Sequence, residues 1–281
     1  MTEEEFALIK DLVQREFGIL LKGDRRLTLH TKVSHRLQIL DISSYRQYYD
    51  YIVSDASREE LFILASHITN NETYFFREKA QLDIFSELLG EMKRERQNKS
   101  QHELRILSVA SSSGEEAYSL NIIVQENGLF LWDWDVKIIG MDIDRNAIRK
   151  ARDARYTKSS FRMLNGDAAL ISKYFTVEGD QHVLRRSLTK NVEFRHGNIT
   201  ESGAYEGLGQ VDAIFCRNVL IYMTDDAIEK IARNFHSVLL DTGYLFIGAS
   251  ESLIQKTDLF TPEYNNGGIV YRKNIKNIPV P

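Results

Sequence analysis

Cysteine is nearly absent from this chain: of 281 residues, only Cys216 is one. That excludes an internal disulfide and any zinc cluster built from cysteines, and it fits a reducing compartment. No apolar run approaches the length of a membrane span. Strong net charge is lacking too. Forty acids against 36 Lys and Arg leave −4, so the surface as a whole advertises neither nucleic acid nor an anionic membrane as partner. Met1-Thr2-Glu3-Glu4-Glu5 is acidic where a secretory leader needs a basic start, which predicts a cytoplasmic protein. Internal repeats and low-complexity tracts are missing. The length is generous for one core and suits one large domain plus a small one.

What is present is organised around Arg105–Leu120, RILSVASSSGEEAYSL. Residues 105–110 are an apolar run that suits a buried strand, Ser111-Ser112-Ser113-Gly114 is a tight turn, and Glu115-Glu116 place carboxylates in the first turn of a helix, where the helix dipole favours them. Strand, small-residue turn and helix form the opening unit of a doubly wound sheet, in which ligands bind at the carboxyl ends of the strands. The turn carries neither G-x-G-x-x-G nor a Gly-Lys-Ser/Thr ending, so a dinucleotide or a nucleotide phosphate is disfavoured. Two carboxylates would repel phosphate. They suit a cationic ligand such as the amino group and sulfonium of S-adenosylmethionine (SAM), or they are simply helix-start acids. Residues 136–141 read as the second strand, and Asp142 at its tip stands where nucleoside-binding sheets hold a ribose diol. Asp144 has the place of an N-cap for the helix from Arg145.

The chain before residue 70 reads as helices only. Phe6, Ile9, Val13 and Phe17 form one stripe ended by Gly18, and Leu29, Val33, Leu37 and Leu40 form a second. Beside the second stripe lie Arg25, Lys32 and Arg36. Residues 22–36 carry a local charge of +4, which suits an acidic partner or a solvated face. Tyr45, Tyr48, Tyr49 and Ile52 mark a third helix, and Ser57-x-x-Glu60 is a capping-box signature for a fourth. Residues 69–78 set polar groups before an aromatic pair, as at the edge of a site. A helix over residues 82–92 then runs into a charged linker at 93–100. Residues 174–186 read as a hairpin inserted on the sheet, its turn being Glu178-Gly179-Asp180-Gln181. Further strands are expected at 192–195, 211–216, 243–247 and 268–273, with polar groups collecting where they end.

Five motifs then occur in order: TNNETYFFRE at 69–78, SSSGEEAYS at 111–119, GMDID at 140–144, IFCRNVLIYM at 214–223 and GASES at 248–252. With the helical front end, the chain resembles the CheR-type chemotaxis-receptor glutamate methyltransferases over nearly its whole length. Ala117 stands where that family usually carries proline, a residue helix starts favour without requiring.

The resemblance implies an α/β fold, a class I SAM-dependent methyltransferase with a doubly wound, mostly parallel sheet. It adds an all-α N-terminal domain (residues 1–72), a linker helix and connection (73–103), and a small antiparallel β-subdomain at about 156–191 within the methyltransferase domain (104–281). It implies that Asn71, Thr73, Arg77, Glu115, Asp142, Asn198, Ile199, Arg217 and Asn218 line the cofactor site, and that Arg77 and Tyr222 stand beside the transferring methyl. The cofactor would be SAM and the product S-adenosylhomocysteine (SAH). No metal is called for, because the leaving group is a neutral thioether. The partner would be the cytoplasmic helical domain of chemotaxis receptors, docked on Arg25, Lys32 and Arg36, with no membrane insertion. Family members that tether to a receptor pentapeptide have a longer, glycine-rich hairpin loop. The short turn at 178–181 therefore predicts that no tether is required. A methyltransferase acting on a small acid, or a SAM-binding scaffold without activity, are the alternatives.

Overall fold

The computed structural model describes residues 1–21, 26–130, 132–164, 167–265 and 268–276. Chain contacts divide it into two compact units. One holds Met1–Asn70 and Tyr222–Ile228; the other holds Asn71–Ile221 and the described chain from Glu229 onward.

The first unit contains α1 (Glu3–Phe17), α2 (Arg26–Leu40), α3 (Tyr45–Ser54) and α4 (Glu59–Ile68). A capping box starts α1: the Thr2 hydroxyl accepts from Glu5 N, and the Glu5 carboxylate accepts from Thr2 N at 2.8 Å. Gly18, in the left-handed region at φ 69°, ends it. The apolar stripes meet inside: Ile9, Val13, Phe17, Leu29, Val33, Leu37, Tyr48 and Ile52 are buried. The box expected at Ser57-x-x-Glu60 does not form. Asp55 accepts from Ser57 N and Glu60 N instead, which frees the Glu60 side chain to turn inward. There it takes two hydrogen bonds from Arg36, at 2.7 and 2.6 Å, and one from the Tyr48 hydroxyl at 2.8 Å. A buried carboxylate needs such partners, since an unpaired charge in the interior is costly. The segment at 222–228 joins this unit through Met223 pairing with Ile19, Leu20 N donating to Tyr222 O at 2.7 Å, and Thr224 N donating to Gly18 O.

The second unit begins with α5 (Lys79–Asn98). It continues through β1 (Glu103–Val109), α6 (Glu115–Asn127), β2 (Asp135–Asp142), α7 (Arg145–Asp153) and the short β3 (Arg155–Tyr156). Then follow α8 (Ala168–Tyr174), β4 (Phe175–Glu178), β5 (Gln181–Leu184), α9 (Arg186–Thr189), β6 (Val192–His196), β7 (Val211–Cys216), α10 (Asp225–Val238, of which residues 225–228 count with the first unit), β8 (Leu239–Ile247), β9 (Phe260–Asn265) and β10 (Gly268–Lys273). The main sheet runs β6-β2-β1-β7-β8-β10-β9. Its first five strands pair in parallel, and β10 and β9 are antiparallel. The strand order turns back on itself between β1 and β7, which opens a crevice at their carboxyl ends.

Two expectations change here. Residues 93–98 are the last turns of α5 rather than a linker, because Arg96 is buried in a bidentate pair with Asp212 at 2.7 and 2.9 Å. A polar strand, β9, is not among the expected ones. It is an edge strand with half of its side chains exposed and Pro262 within it, so it lacks the apolar run that marked its neighbours. The hairpin at 174–186 forms as β4 and β5, with Glu178 facing Gln181 across Gly179-Asp180, and β3 completes a second, antiparallel sheet. Among the described residues no helix is long and apolar enough to cross a membrane.

Candidate active site

At the carboxyl edge of the sheet, β1 ends in a turn whose geometry glycine makes possible. Gly114 has φ 93°, and a Cβ there would lie 2.9 Å from both Ala151 Cβ and the Phe194 ring. The turn delivers Ser112 N to the Asp142 carboxylate at 2.7 Å, and Asp144 N reaches the same carboxylate at 2.8 Å. Asp144 N-caps α7 by accepting from Asn146 N, as its position predicted, and also accepts from Asn71 Nδ2 at 2.7 Å. The Asn71 carbonyl accepts from Ser112 Oγ. Tips of β1 and β2 and the segment starting at Asn71 are thus tied together by acids and small hydroxyls.

That segment is anchored from below. Phe75 is fully buried. It stacks on Phe161 at 5.0 Å and meets Tyr156 and Phe175 edge-on, which joins it to the small sheet. Its N–H donates to the Ser160 carbonyl, and Phe76 N donates to Ser119 Oγ. Thr73 is half-buried between these anchors. Arg77 follows, donating to the Glu72 carbonyl at 2.7 Å with its guanidinium 5.6 Å from the Tyr74 ring centre.

Burial dominates the electrostatics. It pushes the Asp142 carboxyl up to about 6, against the backbone N–H groups of Asp144, Ser112 and Ile143 that favour its charge. Glu115 is likewise raised by burial, opposed by hydrogen bonds from Ser113 Oγ at 2.7 Å and Ser160 Oγ at 3.0 Å. Asn198 is buried in the loop after β6. It accepts from Thr200 N and donates to Glu201, while Gly197 N beside it donates to the Asp142 carbonyl. Ile199, also buried, gives its carbonyl to the Tyr205 hydroxyl and Asn234.

On the other side of the crevice, the end of β7 presents Arg217 and Asn218. The Arg217 side chain is only 2% exposed. It donates to Glu116 at 3.1 Å, to the Arg77 carbonyl and to Glu78 at 3.4 Å. Asn218, at φ 60°, donates through its side chain to Glu78 at 2.8 Å. Burial works to raise Glu78, but hydrogen bonds from Asn218 and the Arg217 charge outweigh it and hold that carboxyl below its ordinary value. Glu78 and Glu251 are residues for which no role was expected from sequence, and Glu116, expected only as a helix-start acid that suits a cationic ligand, pairs with Arg217. Each is the partner of an expected one, and only the fold brings them together.

The sequence-expected residues Asn71, Thr73, Arg77, Glu115, Asp142, Asn198, Ile199, Arg217 and Asn218 therefore all belong to the second unit, on strand tips or on the segment tied to them. Tyr222 belongs to the first, with its carbonyl on Leu20 N. Of the expected docking residues, Arg25 lies outside the described residues. Lys32 donates to the His67 carbonyl. Arg36 is not a free surface charge: it is 18% exposed and committed to Glu60, because the absent capping box leaves that carboxylate to be neutralised inside the unit.

The donor set fits SAM. Acids outnumber bases around the β1 turn, the Asp142 carboxylate can accept from a diol, and Ser111 Oγ is buried there without a partner among the described residues. Fold and site together define a class I SAM-dependent methyltransferase. The chain belongs to the CheR methyltransferase family. Residues 71–267 match its SAM-binding domain and residues 4–69 its all-alpha domain. Similar proteins include chemotaxis protein methyltransferase 2 of Vibrio cholerae, 32% identical over 92% of this chain and 89% of that one. The chemotaxis protein methyltransferase of Salmonella typhimurium is 31% identical over 90% and 85%. That of Borreliella burgdorferi is 29% identical over 90% and 89%.

Proposed function

We propose that this chain methylates the γ-carboxylate of glutamate side chains in the cytoplasmic helices of chemotaxis receptors, leaving a glutamate methyl ester and SAH. The observation that carries the reading is the pair of buried acids Asp142 and Glu115 at the carboxyl edge of the sheet in a chain of this family. Asp142 accepts from the ribose hydroxyls, and Glu115 favours the cationic end of the cofactor. Asn71, Thr73, Asn198, Ile199, Arg217 and Asn218 line the remainder, with Arg217 acting through the groups it holds in place. When bound, SAM would supply an electrophilic methyl group whose transfer to a carboxylate oxygen leaves the neutral thioether SAH.

A glutamate is already ionised at neutral pH, so this chain needs no general base. Its contribution is alignment and exclusion of water. Arg77 and Tyr222 orient the reacting carboxylate by hydrogen bonds, loosely enough to leave it nucleophilic. The working compartment is the cytoplasm, where the receptor helices are presented. Docking falls to the basic residues Arg25 and Lys32, while Arg36 holds α2 to Glu60. The two-residue connection of the β4–β5 hairpin supports recognition without a pentapeptide tether. Incubation with methyl-labelled SAM and receptor cytoplasmic fragments tests the reading. Label that mild base releases as methanol is expected; base-stable label would contradict it.

A further inference from the structure

The GASES motif at 248–252 follows β8, and its glutamate binds backbone rather than side chains. Glu251 accepts four main-chain N–H groups. Oε2 takes Asn218 N at 2.8 Å and Gly248 N at 2.7 Å; Oε1 takes Leu220 N at 2.7 Å and Ile221 N at 3.3 Å. The side chain comes from the tip of β8, while three of its four donors lie in the loop after β7, on the run that leads into Tyr222. The two tips approach so closely that a Cβ on Gly248 would fall 2.6 Å from Glu251 Oε2 and 2.9 Å from Asn218 N. Asn218 itself has φ 60°, a conformation that asparagine tolerates but that needs support from its surroundings. A second carboxylate closes the assembly from the other side. Glu78 accepts from Asn218 Nδ2 at 2.8 Å and from Ala249 N at 3.1 Å, bridging the same two tips.

We propose that Glu251 is a positioning residue for methyl transfer: its carboxylate, seated against Gly248, fixes the backbone of residues 218–221 and so sets where Asn218 and the following Tyr222 present their side chains. The inference rests on the methyltransferase reading above. A carboxylate suits the task because it is acceptor-only on both oxygens and can serve four donors at once. Charge-assisted bonds of this kind are shorter and stronger than neutral ones. Glutamine cannot replace it, since whichever way its amide turns, an –NH₂ faces two N–H groups.

The test uses the full chain and two variants. Glu251→Gln replaces one acceptor oxygen with a donor, and Gly248→Ala forces the tips apart with the carboxylate intact. Amide exchange, read on the protein alone, is expected to accelerate at residues 218–221 in both, with α6 and β1 unchanged. At saturating SAM and receptor fragment, kcat is expected to fall about 100-fold, the scale of a 1 Å misplacement, while SAH affinity falls far less. Three results overturn the proposal: kcat unchanged in both variants, kcat lost without faster exchange at 218–221, or exchange accelerated throughout with activity falling only as the folded fraction falls. If the unmutated chain transfers no methyl to receptor fragments, the functional reading fails instead, and the exchange pattern still decides whether the clamp exists.

Discussion

Asp142 makes the clearest single-residue case, because its chemistry and its cost can be separated. Replacing it with alanine removes the acceptor proposed for the ribose hydroxyls. SAM affinity is expected to fall by about 1.5–3 kcal/mol, the range for hydrogen bonds to a charged group, and calorimetry on the folded variant reads this directly. The raised carboxyl adds a pH signature of definite sign. Between its ordinary 3.8 and about 6, the folded protein binds a proton at Asp142 that the unfolded chain does not, so for this group acidification through that window stabilises the unliganded protein. Ribose donors need the ionised form, so SAM affinity moves the other way and weakens as pH falls through about 6. Melting temperatures and binding constants measured across that range should diverge, and parallel trends would remove Asp142 from the site. Tyr222→Phe keeps the ring and deletes the hydroxyl, and turnover at saturating receptor is expected to fall far more than SAM affinity. Asp142 was legible in the sequence because a strand and a following helix bracket it. Glu251 was not, because a carboxylate's value as a clamp depends on amides of which three are supplied from 30 residues away and more.

At the scale of elements, α2 and the small sheet carry separable predictions. Arg36→Glu would set a carboxylate against buried Glu60. Breaking such a pair costs about 3–5 kcal/mol, so the helical unit should lose stability and melt earlier. Lys32→Glu and Arg25→Glu are expected to raise the receptor KM and flatten its salt dependence while leaving SAM binding in place. Normal methylation by both variants at low salt would return this face to ordinary solvated surface. The basic stripe was visible as a pattern, but Arg36's commitment was not, since Ser57-x-x-Glu60 imitated a capping box and only the fold shows Asp55 doing that work. Phe75→Ala should destabilise by about 3–5 kcal/mol, because the ring fills the space among Phe161, Tyr156 and Phe175. Chemical denaturation measures that loss. A receptor-tail pentapeptide titrated into the protein should give no micromolar binding mapping to residues 174–186. Such binding would overturn the expectation drawn from the short hairpin.

For the whole molecule, most strands of the main sheet were readable because buried parallel strands announce themselves as apolar runs and their tips collect polar residues, whereas their order is visible only in the fold. The antiparallel β9 hid for the opposite reason, being an exposed edge whose alternation is diluted by Thr261, Pro262, Glu263 and Asn265. Arg96 hid as well, since a charged residue near a helix end reads as solvated until Asp212 is found beside it. What ties these parts together is the claim that one crevice, built from strand tips, aligns SAM with a receptor glutamate. The most direct measurement is peptide mapping of a receptor cytoplasmic fragment after incubation with this protein and methyl-labelled SAM. The account predicts label on glutamate γ-carboxyls of the receptor helices, absent when Tyr222 is phenylalanine. Label on any other side chain, or SAM bound tightly with no transfer to receptor, would contradict it.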